Sequence, residues 1–304
     1  MDFTGLIAYP ITPFTSDGEV NYPELEGLVA VLGRARVDTV AVLGSSGSFA
    51  YLTAAERTRV ARTAIDAAAG EVPVVVGVSA VGTREVLNAA VDAARAGAAG
   101  LVLSPVSYVP LTNEEVLAQT RDVSAETGLP ICLYNNPSTT QFDYGLDLVA
   151  ELLELDNVVA FKDTAPDAQT FEARYARLRS LTSRPVSHGV SGDLLMVSGS
   201  IAADAWHTGP GAILPMYYAM LRSAVVAGDA DQAESCRRVL LPLIQHVVNL
   251  RKISGLHLLA KVCGINAGDP RLPLLPAPGS EQRELGRLLD VVEATLGTEL
   301  TLGT

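Results

Sequence analysis

Short apolar runs rich in Val, Ile and Leu recur along the chain, and a longer amphipathic segment follows most of them. Their starts lie roughly 20–35 residues apart, an interval that holds one strand, one helix and two short loops. The middle runs are apolar at every position, as expected of parallel strands buried on both faces. The eight predicted strands are residues 6–11, 39–43, 72–78, 100–103, 130–134, 158–161, 185–190 and 205–207.

The segments between the runs have the periodicity and the end signals of helices. Residues 83–96 place their apolar side chains on one stripe with a 3.6-residue period. Capping boxes, in which a hydroxyl and a carboxylate satisfy free backbone N–H groups reciprocally, pair Thr53 with Glu56 and Thr112 with Glu115. Glycines suited to a left-handed helix end follow three of the helices, at Gly70, Gly97 and Gly128.

Eight strand–helix alternations have two main architectural solutions, a closed (β/α)8 barrel and an open doubly wound sheet. No Gly-x-Gly-x-x-Gly motif follows the first strand, which favours the barrel. After about Gly211 the strand signal ends, and helices are predicted at 217–226, 231–250, 254–262 and 281–296. We therefore predict an α/β fold with a (β/α)8 TIM barrel at residues 1–212 and a C-terminal helical region, residues 213–304, packed on it. Residues 270–278, rich in proline, are expected to form a turn within that region.

Composition excludes several classes of protein. The chain has 304 residues, of which 48% are hydrophobic and 18% are charged, as in a globular protein with a large core. Asp and Glu outnumber Lys and Arg by 34 to 22, and no basic stretch exists, so a nucleic-acid partner is not expected. No apolar run approaches the roughly 20 residues that span a bilayer. With no signal-peptide pattern at the N-terminus, we expect a cytoplasmic protein without a membrane partner.

The three cysteines, Cys132, Cys236 and Cys263, are far apart and odd in number. This spacing suits neither a disulfide framework nor a CxxC metal site, so we expect reduced core residues. The four histidines show no metal-ligand spacing with each other or with carboxylates, and all are interpreted as packed or structural: His188, His207, His246 and His257. No metal site and no cofactor are predicted.

In a barrel, functional groups lie at the carboxyl ends of the strands and in the loops that follow. Four predicted strand ends carry unusual residues: Gly-Ser-Ser-Gly-Ser at 44–48, Tyr-Asn-Asn-Pro at 134–137, Lys-Asp-Thr at 162–164 and Ser-Gly-Asp at 191–193. The first can be a cradle for a small anion or a plain turn. Tyr134 can be a general acid–base or a packing residue. Asp193 can bind substrate hydroxyls or cap a helix.

Lys162 is the most informative of these residues. The chain has three lysines, at positions 162, 252 and 261, so arginine supplies most of its positive charge. A primary amine forms a Schiff base, whereas a guanidinium does not. Burial at a strand end would lower the pKa of the amine and leave it nucleophilic. The alternative is a structural lysine paired with Asp163 or with a helix end.

Together these motifs resemble the dihydrodipicolinate synthase / N-acetylneuraminate lyase family of class I pyruvate-dependent aldolases, and the likeness covers almost the whole chain. Five motifs carry it in order: Thr-Pro-Phe at 12–14 with Asp-Gly-Glu-Val at 17–20, Gly-Ser-Ser-Gly at 44–47, Tyr-Asn-Asn-Pro at 134–137, Phe-Lys-Asp-Thr at 161–164 and Arg-Leu-Pro-Leu-Leu-Pro at 271–276. The resemblance implies a (β/α)8 barrel with a helical C-terminal region, commonly a homo-tetramer, that needs no metal.

The resemblance also implies roles for individual residues. Lys162 would form the Schiff base with the keto carbon, and Tyr134 would shuttle protons. Ser45 would join this relay, and Ser46 would help it to hold the keto acid carboxylate. The backbone carbonyl of Ile213 would lie near the lysine.

Several positions depart from the family pattern. Ser48 replaces the usual glutamate, and Ser107 stands where dihydrodipicolinate synthases have a tyrosine, with Tyr108 displaced by one position. Thr139 occupies the position of the arginine that grips the carboxylate of the aldehyde partner. Leu194 occupies the position of an acid in the sialate lyases. These departures change the substrate more than the chemistry.

The sequence thus predicts a carbon–carbon or carbon–oxygen lyase or synthase that acts on pyruvate or a related 2-keto acid through a Lys162 imine, with an unidentified aldehyde partner. One alternative is a 4-hydroxy-tetrahydrodipicolinate synthase with an altered site for the aldehyde carboxylate. Another is a catalytically silent barrel that binds keto acids. A metal-dependent aldolase is the least favoured.

Overall fold

In the computed structural model, which describes residues 1–199 and 201–297, eight parallel strands pair in chain order. The last strand pairs with the first, so the sheet closes into a barrel. The strands are β1 (Gly5–Ala8), β2 (Thr39–Val42), β3 (Val74–Gly77), β4 (Gly100–Leu103), β5 (Ile131–Asn135), β6 (Val158–Asp163), β7 (Ser187–Val190) and β8 (Ala205–Thr208). Each lies at a predicted run, and the prediction of a closed barrel rather than an open sheet is confirmed.

Helices surround the barrel and continue beyond its last strand. Those between strands are α1 (Tyr22–Arg34), α2 (Ala54–Ala68), α3 (Thr83–Ala96), α4 (Asn113–Thr127), α5 (Pro137–Thr140), α6 (Leu146–Leu152), α7 (Ala168–Leu181) and α8 (Asp193–Ser198). After β8 come α9 (Pro215–Ala227), α10 (Ala230–Asn249), α11 (Lys252–Val262) and α12 (Glu281–Leu296). Within the described ranges, none of these helices is long and apolar enough to cross a membrane.

The end signals of the helices largely match their predicted places. Both capping boxes form, at the starts of α2 and α4. Gly97 and Gly128 are the left-handed caps of α3 and α4. At the end of α2 the left-handed cap is instead Ala69, and Gly70 follows it with a positive φ of its own. The cap therefore falls one residue earlier than the glycine indicated.

Side chains alternate between the inside and the outside of the barrel. Because successive residues of a strand point to opposite faces, every second residue fills the interior. The interior cluster combines small residues with aromatic ones: Phe3, Ile7, Tyr9, Ala41, Val75, Val102, Cys132, Tyr134, Ala160 and Ala205. The opposite face of the strands packs against the helices in a much larger apolar cluster. All three cysteines are unpaired, and two are fully buried.

The C-terminal helices pack on the barrel. Helix α10 contacts α8, α9, α11 and α12, and α9 contacts β1. A boundary at residue 212 remains a prediction, and the last seven residues of the predicted region, 298–304, lie outside the described residues.

An arginine fork ties the C-terminal region to the second barrel helix. The guanidinium of Arg271 donates to both carboxylate oxygens of Glu56, at 2.8 and 2.7 Å, and to the backbone oxygens of Gly18 and Tyr51. These hydrogen bonds, chiefly those from Arg271, lower the pKa of Glu56 to about 2. Both side chains are mostly buried, so the pair is shielded from water. The Arg-Leu-Pro motif that resembled the family thus acts as a structural clamp.

We expect Arg271→Met to lower the free energy of unfolding by about 1–3 kcal/mol at pH 7, since it removes two hydrogen bonds to Glu56, which keeps those from Thr53, and leaves two backbone oxygens without this donor. Glu56 ionises more readily in the folded chain, so its contribution is complete above its ordinary pKa of 4.5 and is lost as the pH falls towards 2. Denaturant unfolding at pH 7 and pH 3.5 measures the free energy of unfolding of both proteins. The difference in this free energy between wild type and Arg271→Met should be smaller at pH 3.5 than at pH 7.

Arg287→Met is the matched control, because Arg287 pairs with Glu284 on an exposed helix face. Loss of this exposed pair should lower the free energy of unfolding far less than Arg271→Met does at pH 7. An Arg271→Met protein as stable as wild type at pH 7 would show that the clamp is dispensable.

Candidate active site

The carboxyl ends of β5, β6 and β7 bring the predicted catalytic residues together. Lys162 pairs in register with Tyr134 on one side and with Gly189 on the other. Tyr134 belongs to the interior cluster, and the Lys162 amine lies against its ring inside the barrel. The next residue, Asp163, points outwards, where it accepts hydrogen bonds from Arg174 and Asn135 and lies 3.4 Å from His188. A lysine paired with Asp163 is therefore not what the structure contains.

The amine of Lys162 lies between two aromatic rings. Its Nζ is 3.7 Å from the ring centroid of Tyr9 and 3.8 Å from that of Tyr134, and the residue is only 5% exposed. Burial lowers the pKa of the amine, and the charge of Lys252 lowers it further, while Tyr134 acts in the opposite direction. A free amine is the nucleophilic form, so this environment favours attack on a carbonyl carbon.

Tyr134 is an unusually acidic phenol. Burial by itself would raise its pKa, but the charges of Lys162 and Lys252 and the hydroxyls of Ser191 and Ser45 outweigh burial and lower the pKa to about 7. The amide of Asn136 donates to the phenolic oxygen at 2.9 Å. A group that gains and loses a proton near neutral pH suits general acid–base catalysis.

Tyr9 and His207 form a second pair beside the lysine. The Tyr9 hydroxyl lies 3.0 Å from Nδ1 of His207, and burial holds the pKa of His207 well below its usual value, so the ring is neutral. Two glycines make room for the pair. A Cβ on Gly44 would lie 2.6 Å from the Tyr9 ring, and one on Gly189 would lie 2.4 Å from Nε2 of His207. Within the described residues that Nε2 has no hydrogen-bond partner.

The Gly-Ser-Ser-Gly turn after β2 faces the lysine across the barrel mouth. Ser45 and Ser46 both line the same cavity as Lys162. A Cβ on Gly209, which follows β8, would lie 2.7 Å from the Ser46 hydroxyl. The close approach of Gly209 therefore keeps Ser46 at the cavity wall. Two hydroxyls at one edge, opposite an amine, can hold a carboxylate whose neighbouring keto carbon reaches Lys162.

These groups line one cavity of about 300 Å³, which lies within the range of small-molecule sites. Its inner wall carries Tyr9, Ser45, Ser46, Tyr134, Lys162, Ser191 and His207. Its outer wall is made by the segment after β7 and by the C-terminal helices: Asp193, Leu194, Leu195, Val247, Val248, Lys252 and Leu256. The C-terminal region thus forms part of the site.

Asp193 lies at the cavity wall and at the start of α8. Its carboxylate accepts hydrogen bonds from the hydroxyls of Thr208 and Tyr218, and burial raises its pKa. No side-chain cap is formed at the N-cap residue, Gly192. A role in binding substrate hydroxyls stays a prediction.

Three predicted substrate contacts lie away from the cavity walls. Tyr108 is 88% exposed on the surface after β4. Thr139 is exposed in α5, and its hydroxyl donates to the backbone oxygen of Asn136. Ile213 is buried in the large apolar cluster, whereas Gly209 and Pro210 just before it line the cavity. Their proposed contacts with substrate are untested.

Tyr9 and Lys252 were not predicted as site residues, and His207 was interpreted only as a packed histidine. Tyr9 follows β1 directly, so its strand-end position is a signal comparable to that of Tyr134. Lys252 is one of the three lysines and stands just before the helix predicted at 254–262. Neither signal shows that the side chain faces Lys162. His188, by contrast, is packed among Phe161, Phe171 and Tyr175 as predicted.

The chain matches the model of the dihydrodipicolinate synthetase family over residues 2–292. A 4-hydroxy-tetrahydrodipicolinate synthase of Stenotrophomonas maltophilia is 31% identical over 297 residues, which cover 97% of this chain and 98% of the relative. Among solved structures, a dihydrodipicolinate synthase from Agrobacterium tumefaciens superposes with a TM-score of 0.91 at 33% identity, covering 96% of this chain and 98% of that one. YagE of Escherichia coli K12, solved in complex with pyruvate, gives 0.89 at 26% identity, with 96% and 99% coverage.

The chain belongs to the dihydrodipicolinate synthetase family. The resemblance stated from five motifs is thereby confirmed, and so is the (β/α)8 barrel with its helical C-terminal region. Its relatives are synthases and lyases, which confirms that this chain is an enzyme of the lyase class.

We expect the ultraviolet absorbance of tyrosinate to show one of the nine tyrosines ionising near pH 7. The sign follows from the environment: positive charge and hydroxyl donors stabilise the phenolate, so its fraction rises as the pH passes about 7 and falls below it. Tyr134→Phe should remove this step. Tyr144→Phe is the control, since burial raises the pKa of Tyr144 and it does not ionise in this range. A step that survives in Tyr134→Phe would assign the acidic phenol to another tyrosine.

Proposed function

We propose that this member of the dihydrodipicolinate synthetase family forms an imine between Lys162 and pyruvate or a related 2-keto acid, and then makes or breaks a bond at the carbon next to the imine. The observation that carries the proposal is the Lys162 amine, buried between two aromatic rings and in register with an acidic tyrosine. YagE, a relative by structure, was solved with pyruvate.

In the proposed reaction the Nζ lone pair of Lys162 attacks the keto carbon, and the carbonyl oxygen takes up a proton to give a carbinolamine. Tyr134 supplies this proton and takes one back from the Nζ nitrogen of the carbinolamine. It then passes that proton to the hydroxyl, which leaves as water as the imine forms. Ser45 lies beside Tyr134 and passes protons to and from it. Ser46 and Ser45 hold the carboxylate of the keto acid.

Loss of a proton from the carbon next to the imine gives an enamine, because the imine nitrogen accepts the electron pair. In synthesis this carbon attacks the aldehyde carbon of the partner, whose oxygen takes up a proton. Water then hydrolyses the imine, which releases the product and restores the amine of Lys162. Cleavage runs through the same steps in reverse. Loss of a hydroxyl from the neighbouring carbon would give a dehydratase.

The buried amine favours the enzyme over a silent keto-acid-binding barrel. A barrel that only binds keto acids needs the hydroxyl cradle but no buried lysine with a lowered pKa, and burying an amine costs free energy. A 4-hydroxy-tetrahydrodipicolinate synthase remains the second candidate on the relative's name and the family pattern. This chain has Thr139 at the position where the resemblance expects the arginine that binds the carboxylate of the aldehyde.

Borohydride reduction in the presence of pyruvate should attach one reduced pyruvyl group to Lys162, detected by intact mass and peptide mapping. Lys162→Met should abolish the adduct, and Tyr134→Phe should slow its formation by about 10²–10⁴-fold. Lys261→Met, which removes an exposed lysine that pairs with Asp269, is the matched control and should react normally.

Trapping, together with two activity measurements, separates the alternative functions. Binding of pyruvate without any trapped adduct would favour the silent barrel. Loss of turnover in EDTA would favour a metal-dependent aldolase. If the adduct forms, condensation with aspartate semialdehyde that is faster than with an aldehyde lacking a carboxylate would favour the synthase.

We also propose a homo-oligomer, tetramer or dimer, from the family resemblance. Tyr108 and Val109 are 88% and 67% exposed side by side on the surface after β4, which suits an interface. Sedimentation velocity should give a mass above that of a single chain of 31.9 kDa, and Tyr108→Ser with Val109→Ser should shift it downwards. A monomer in wild type would contradict the proposal.

A further inference from the structure

The cavity extends well beyond the groups that the keto acid needs. Lys162, Tyr134 and the two serines lie at its inner end, inside the barrel mouth. The outer end is bounded by apolar side chains from four different places in the chain: Ala165, Pro166, Leu194, Leu195, Val247, Val248 and Leu256. A three-carbon acid bonded to Lys162 fills only the inner part. The outer part therefore receives the rest of a larger substrate, and its walls suit an apolar chain.

One cation faces this outer part. Lys252 is the first residue of α11, it is exposed, and it lines the cavity. Across residues 1–199 and 201–297 no carboxylate pairs with it, whereas Lys261, on the same helix, pairs with Asp269. The N-cap residue of α11, Arg251, forms no side-chain cap. The free backbone N–H groups at the start of α11 therefore add to the positive potential around Lys252.

The charge of Lys252 acts on the inner groups as well. It lowers the pKa of both Tyr134 and Lys162, and it favours the ionised form of Asp193. Asp193 is itself occupied by the hydroxyls of Thr208 and Tyr218 and forms no ion pair with Lys252 within the described residues. The ammonium group thus lies within electrostatic reach of the reacting atoms and keeps its donors free for a ligand.

The position at which the resemblance expects a carboxylate-binding arginine does not line the cavity. Thr139 stands where the resemblance expects an arginine for the second carboxylate, and it is exposed outside the cavity walls. A substrate with a distal anion would find its counter-charge on the opposite side of the mouth, on the C-terminal region.

We propose that Lys252 binds a carboxylate at the far end of the substrate, so that the enzyme acts on 2-keto acids with an apolar middle and a terminal carboxylate. The proposal rests on the proposed function, because the Lys162 imine fixes one end of the chain. Lys252 then determines which chains reach across the cavity, and it is a specificity residue outside the barrel strands.

Paired substrates of equal length test this role. The half-saturating concentration for borohydride trapping is measured with 2-oxoadipate, which has a terminal carboxylate, and with 2-oxohexanoate, which ends in a methyl group. Wild type should favour 2-oxoadipate by roughly tenfold or more, as expected for one charge-assisted contact. Lys252→Met keeps the length of the side chain but removes the charge, and should lose the preference. Lys252→Arg should retain most of it.

Two controls separate this proposal from the one on which it rests. Lys261→Met changes the net charge equally on the same helix and should leave the preference intact. Pyruvate, which has no distal group, should change its half-saturating concentration in Lys252→Met by about the same factor as 2-oxohexanoate, because neither reaches Lys252. Loss of Lys252 raises the pKa of both Tyr134 and Lys162, so half-saturating concentrations are compared at the pH optimum of each variant.

The outcomes are distinct. No preference in wild type, or an unchanged preference in Lys252→Met with pyruvate still trapped, would overturn the role of Lys252 and leave the imine chemistry standing. If wild type traps no keto acid, the proposed function fails. Calorimetric binding of 2-oxoadipate then decides the question for Lys252: weaker binding to Lys252→Met supports a carboxylate site, and equal binding rejects it.

Discussion

The arrangement of the active site depends on the burial of a single amine, that of Lys162, inside the mouth of the barrel. An ammonium ion is strongly hydrated, and burying it without a partner costs roughly several kcal/mol of free energy. Within residues 1–199 and 201–297 no ion pair joins a carboxylate to this amine, which lies between two aromatic rings. Burial and the charge of Lys252 lower its pKa and favour the neutral amine, whereas ionised Tyr134 favours the ammonium form. The amine and the phenol therefore compete for one proton, and the amine is neutral when Tyr134 holds that proton.

Strand register enforces this placement. With a side-chain period of two, Lys162 faces inwards and Asp163 outwards, so adjacent residues of opposite charge never meet. Asp163 is held on the outer face by Arg174, Asn135 and His188, and its negative charge is satisfied there. A shift of β6 by one residue would exchange the two side chains and place a carboxylate inside the barrel. The outer ion cluster therefore fixes the register that the inner amine requires.

The fold was predictable because its signals are local. Eight apolar runs, two capping boxes and the absence of a dinucleotide motif were enough to favour the barrel, and Lys162 was found because a lysine ends an apolar strand in a chain with few lysines. Tyr9, His207 and Lys252 come from distant parts of the chain, and only the closure of the barrel and the packing of α11 bring them to the cavity. The roles of Gly44 and Gly189 likewise depend on residues that are distant in the sequence. Each is needed because an aromatic ring from another strand occupies the space of its absent Cβ, and a sequence does not show that contact.

The groups around Lys162 lie on the barrel strands, whereas the outer wall of the cavity lies on other segments. This division explains how the family pattern can be kept at the strand ends and lost in the outer wall. The groups around the amine are held by barrel strands, whose pairing tolerates little change. The outer wall is built from the segment after β7 and from α10 and α11, which lie outside the paired strands of the barrel. Substitutions there alter the shape and charge of the cavity without disturbing the strand register. Motifs at strand ends therefore indicate the reaction class, whereas the cavity wall that we propose selects the substrate contains side chains such as Lys252 and Leu194, which only the folded C-terminal region and the β7 segment bring together.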